Sequence, residues 1–75
     1  MKKILNTETI NGLFTVDIEG VLQETRIGDN IPDDAGNVFS LVSVALSGFH
    51  NRNAQTLVLR KLEGTKPIGA YLNAN

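Results

Sequence analysis

Apolar and polar positions alternate most regularly at Phe14, Val16 and Ile18 against Thr15, Asp17 and Glu19. This is the two-residue period of a strand with one buried face. The run before it, Lys2 to Ile10, contains threonine and isoleucine and no breaker, and it predicts a first strand. Asn11-Gly12 stands between the two runs, and this dipeptide suits a type I′ turn because both central residues need positive φ. Pairing Ile10 with Leu13 sets Thr9 beside Phe14, and Leu5 and Thr7 beside Ile18 and Val16. Asn6 and Glu8 then fall beside Asp17 and Thr15 on the other, polar face. Glu19-Gly20 is a second turn signal, and Val21 to Ile27 predicts a third strand.

The longest apolar run, Val38 to Phe49, fits a different period. At about 100° per residue, Ser40, Ser43 and Ser47 fall within roughly 60° of one another, while Val38, Phe39, Leu41, Val42, Ala45, Leu46 and Phe49 take the opposite arc. A strict two-residue period would separate Ser40 from Ser43 and Ser47. The spacing therefore predicts a helix over about 37–47, with Asp33, Asp34 or Asn37 capping its start and Gly48 ending it. Intrinsic preference runs the other way, since three valines, three serines and a phenylalanine form strands more readily than helices. Such a helix would have to be held by tertiary packing.

Between these segments, Gly28 to Asn37 is rich in residues that favour turns and predicts a loop. After the apolar run, Ala54 to Leu62 predicts a strand, and Leu57-Val58-Leu59 implies burial on both of its faces. Glu63 to Pro67 predicts a turn, Ile68, Ala70 and Leu72 a closing strand, and Asn73-Ala74-Asn75 a frayed tail. The expected architecture is α+β in one domain over 1–75: a three-stranded antiparallel meander, one helix and a C-terminal β-hairpin. The alternative is an all-β small barrel of the oligonucleotide/oligosaccharide-binding type, compatible in element order alone and supported by no residue motif.

A chain of 75 residues has room for only a small core, and without cysteine it has neither disulfides nor thiolate ligands to reinforce it. Packing, or a partner subunit, has to supply the stability. Seven basic and eight acidic residues leave a net charge of −1, so no overall field draws nucleic acid or an acidic membrane. The apolar stretch behind Met1-Lys2-Lys3 is only Ile4-Leu5, too short for a signal peptide, and no window reaches membrane-spanning length. A cytoplasmic protein is the expectation.

Candidate chemistry is sparse. His50, the single histidine, has no evident partner and suits a helix C-terminus. Asp29, Asp33 and Asp34 fail the calcium-loop template, which needs glycine where Asp34 stands, and are better read as caps and solvated loop. The residues considered for contact with a ligand or single-stranded nucleic acid are His50, Arg52, Arg60 and Lys66, with Tyr71 for stacking. The residues considered for a protein interface are Ser40, Ser43 and Ser47, with Leu57 and Leu59. No catalytic, metal or cofactor-binding residue is expected. The leading reading is a non-enzymatic module that self-associates or docks on another protein. A nucleic-acid-binding barrel comes second, and a small-molecule site between subunits third.

Overall fold

The structure, a computed structural model, describes residues 1–46 and 53–75, with Leu46 described by its backbone only. It is all-β: β1 (Lys2–Ile10), β2 (Leu13–Glu19), β3 (Asn30–Pro32), β4 (Val38–Leu46), β5 (Ala54–Glu63) and β6 (Tyr71–Leu72). These form one antiparallel sheet in the order β3-β4-β5-β2-β1-β6. An Asp33–Leu72 bridge brings its two ends together into a nearly closed barrel. No helix is found among the described residues.

The first hairpin forms as its residues predict. Asn11 and Gly12 adopt φ of 52° and 78°, and Ile10 pairs with Leu13, Thr9 with Phe14 and Thr7 with Val16. One position departs from the expected register. Ile18 faces Ile4 instead of Leu5, because Leu5 is an extra residue in β1 that bulges out and is left 40 % exposed.

The expected helix over 37–47 is corrected to a strand. β4 pairs with β3 through Phe39–Ile31 and with β5 through Leu41–Leu59 and Val44–Leu57. The physical reason lies at Val42. Leu41 faces Leu59, but Ser43 faces Val58, so β4 has one residue more than β5 at this point. A bulge of this kind resets the alternation, and Ser40 and Ser43, three apart, both end up on the outer face. A three-residue spacing that reads as helical in sequence is a broken two-residue spacing in the fold. Extended β4 also gains β5 along its length and β3 beside Val38 to Ser40, which suits its valines better than a helix does.

Further expectations are corrected: the C-terminal hairpin does not form, because β6 pairs with β1 through Lys2 and Lys3 and not with β5, and the loop expected over Gly28 to Asn37 contains β3. The segment Val21 to Ile27 is not a strand; the side of β2 it would have occupied is taken by β5, through Val16–Leu57 and Asp17–Thr56. The tail is not frayed. Ala74 is buried in the core, and the Asn75 carbonyl accepts from Glu24 N (2.8 Å), Thr25 N (2.7 Å) and Thr25 Oγ1 (2.9 Å).

Val16, Ile18, Ile31, Phe39, Leu41, Leu57, Leu59, Leu72 and Ala74 make the core, and Phe14 meets Phe39 edge-on with ring centroids 5.4 Å apart. Leu57 sits at its centre, so Leu57→Ala is expected to cost about 2–5 kcal/mol. Ser43→Ala, on the exposed outer face, should stay within about 0.5 kcal/mol. Urea denaturation of both variants checks the pair, and equal losses would contradict the inward and outward assignment.

Candidate functional site

Among the described residues, the acidic loop is the most highly connected polar part. Pro32–Val38 pairing places Asp33 opposite Asn37 across a tight turn, and the Asp33 amide donates to the Asn37 carbonyl at 3.0 Å. One oxygen of the Asp33 carboxylate accepts from the amides of Ala35 (3.0 Å) and Asn37 (2.7 Å). The other accepts from Asn37 Nδ2 (2.8 Å) and from the amide of Gly69 (2.9 Å). Asp34 Oδ1 accepts from the amides of Ala70 (2.8 Å) and Tyr71 (3.1 Å). The two carboxylates thus tie the β3–β4 turn to the segment entering β6, and the barrel closes there.

Asp33 and Asp34 were expected to cap a helix or to sit in solvated loop. They do satisfy free backbone N–H groups, but those of a hairpin turn and a distant strand. Burial raises the Asp33 carboxyl; hydrogen bonds from the Asn37 side chain and from the Gly69, Asn37 and Ala35 amides outweigh it, and the group titrates below its ordinary value of 3.8. With both its oxygens occupied by donors, Asp33 offers no coordination site for a cation. No metal-holding group of three or more His, Cys, Asp or Glu exists among the described residues.

The chain packs tightly against this turn. Asn37 is fully buried, and its Nδ2 also donates to the Pro67 carbonyl at 3.1 Å. Gly64, at φ 103°, passes so close that an added Cβ would strike Asn37 Oδ1 and lie 2.8 Å from Asn37 Cα. Glycine is required there on both counts.

The residues considered for nucleic-acid contact are not brought together. Arg60 is on the exposed outer face of β5 opposite Ser40, and Tyr71 is on β6 opposite Lys3. Around the ring, β5 and β6 are three strands apart in either direction, so the two side chains are on opposite walls. Lys66 is exposed in the connection between them, where its carbonyl accepts from Lys61 Nζ. His50 and Arg52 lie outside the described residues. No family model matches the chain, and comparison with curated proteins and with solved structures gives no match either.

The interface candidates divide in the same way. Leu57 and Leu59 are wholly buried in the core and present no surface. Ser40 is half-buried and Ser43 exposed on the outer face, while Ser47 lies outside the described residues. The row that a helix would have made of the three serines is therefore absent from β4. A shallow open depression of about 450 Å³ is lined by Lys2, Val21, Gln23, Glu24 and Asn75; it does not include any of the candidate residues. No described helix is long and apolar enough to cross a membrane.

Sequence reasoning missed the open sheet edges. Beyond Leu41, β4 has no partner on the side away from β5 among the described residues: pairing there ends where Leu41 N donates to Asp29 O (3.0 Å) and Gly28 N to Leu41 O (2.8 Å). Among the described residues β1 pairs with β6 only at Lys2 and Lys3, with one further bond from Ile4 N to Ala70 O, so Asn6 to Ile10 form a second open edge there. The valine-rich composition of β4 signals a strand, and nothing in it marks an open side.

Two outcomes are expected around the carboxylate. Ionised Asp33 stabilises the fold fully above its ordinary value of 3.8, and that contribution is lost as the pH falls through its lower folded value. Asp33→Asn should cost about 1.5–3 kcal/mol at neutral pH, and its deficit relative to the parent protein should close in acid. Urea titrations across pH read this, and a deficit independent of pH would contradict it. Gly64→Ala should destabilise by more than the roughly 1–2 kcal/mol that left-handed backbone alone costs, measured as a fall in thermal midpoint.

Proposed function

We propose that the protein is a non-enzymatic binding module that makes protein–protein contacts through its open strand edges. The observation that carries this reading is the unpaired side of β4 from Val42 to Leu46, where no described residue continues the ladder. An exposed edge presents a row of N–H and C=O groups to which another extended chain adds as a strand. Nothing comparable supports catalysis. The lone histidine is outside the described residues, and the most buried carboxylate is committed to backbone donors.

The second reading, a barrel that binds single-stranded nucleic acid, draws on the all-β architecture alone. Its candidate residues Arg60 and Tyr71 face away from each other, and the charge is −1. A small-molecule site involving the Asp33-Asp34 loop has no free Asp33 oxygen to work with.

Amide chemical shifts of the isotopically labelled protein test the choice. Titration with a short alternating threonine–valine peptide should perturb residues along the β4 and β1 edges. A single-stranded oligonucleotide at low salt should leave the spectrum unchanged. If the peptide moves neither edge, or the oligonucleotide produces salt-sensitive shifts at Arg60 or Tyr71, the module reading is wrong.

A further inference from the structure

The two open edges differ in what they would accept. Asn6 to Ile10 on β1 carries Glu8, and an antiparallel pairing of this stretch with its own copy about its central residue, Glu8, sets two Glu8 carboxylates opposite each other. Val42 to Leu46 on β4 carries no charge and no proline, and of its side chains Ser43, Val44 and Ala45 are exposed, Val44 by 39 %. None of the usual protections of an edge is present beyond the bulge at Val42: no lysine, no proline, no covering strand among the described residues. Alternation along the ladder sends the N–H and C=O of every second residue here away from β5.

We infer that this edge of β4 is completed by the same edge of a second copy of the chain, the two strands running antiparallel about a two-fold axis at Val44. This rests on the reading of the open edges as contact surfaces, and it names the partner for one of them. The axis sets Val44 opposite itself, and Ser43 of each copy opposite Ala45 of the other. The Val44 pair and the two Ser43–Ala45 pairs are small or β-branched, Val42 falls opposite Leu46, and no pair contains a charge, so the surface is complementary to itself. Such a contact is isologous and closes at two copies. The β1 edge is left outside the interface. A contact between β4 of one copy and β1 of the next would instead propagate as an open series.

Sedimentation velocity over a concentration series tests the pairing and its register. The parent protein should pass reversibly from monomer to dimer and no further. Ser43→Lys/Ala45→Lys places like charges opposite each other across the axis and should lose the dimer. Ser43→Lys/Ala45→Glu sets each new lysine against a new glutamate of the other copy and should regain it. Both changes are on the exposed outer side, and matching circular dichroism of the two variants checks that folding is equal. Glu8→Lys, on the other edge, should leave the dimer as it is. The inference is overturned by a parent protein that stays monomeric, by association that continues past two copies, by a dimer that survives the paired lysines, by failure of the lysine–glutamate variant to restore it, or by its loss in Glu8→Lys. Should the parent remain monomeric while the threonine–valine peptide still perturbs the edges, only the self-pairing falls; should both be negative, the module reading falls with it.

Discussion

The barrel depends on one buried carboxylate. Asp33 gathers four N–H donors, three from its own turn and one from Gly69, thirty-six residues further along the chain. Its neighbour Asp34 adds two more from the same distant segment. β6 is only two residues long and pairs with β1 through Lys2 and Lys3, too little to hold a strand in place unaided. The charge-assisted bonds from the turn supply what the ladder cannot. Because they join β3 to β6, the first and last strands of the sheet order, they convert an open sheet into a nearly closed ring. Leu72 and Ala74, carried in by this closure, complete the core.

Closure is local, and that shapes the surface. The short β3 and β6 cover only parts of β4 and β1, so among the described residues each of the longer strands has a stretch with one neighbour instead of two. In β1 that stretch contains a glutamate, in β4 none of the charged types. The bulge at Val42 falls where the paired part of β4 gives way to the open part. It reorients the strand there, and it keeps Ser40 and Ser43 on the outer face while Phe39 and Leu41 fill the barrel. The same extra residue therefore serves packing on one side and defines the open edge on the other.

Polar chemistry elsewhere is spent on structure. Gln55 points inward along β5 and its Oε1 accepts from Leu22 N at 2.8 Å, anchoring a connection that crosses from β2 to β3 without forming a strand. Thr56 Oγ1 donates to Asp17 across the outer face. Lys61 reaches over the Phe14 ring, 5.9 Å from its centroid, and donates to the Lys66 carbonyl. With these groups committed to holding the fold, the backbone edges among the described residues have unmet bonding capacity, which is what the proposed contact-making role draws on.

By itself the sequence determined what short-range geometry controls. Asn11-Gly12 specified its turn and, through it, most of the β1–β2 register, because positive φ and a two-residue loop leave few alternatives. The extended character of Ala54 to Leu62 was equally legible in Leu57-Val58-Leu59, but the burial expected on both faces holds on the inner one alone, since Leu57 and Leu59 are buried and Val58 is half-buried on the outer face. Only the tertiary structure decided the rest. A bulge has no signature in a hydrophobic pattern, so Val42 gave Ser40 and Ser43 a spacing that belongs to a helix in isolation and to a strand beside β5. Nor does a turn's composition reveal which distant amides its carboxylates will meet. The pairing of β2 with β5, and of Asp33 with Gly69, depends on chain segments far apart in sequence, and local preference holds no information about which of them come together.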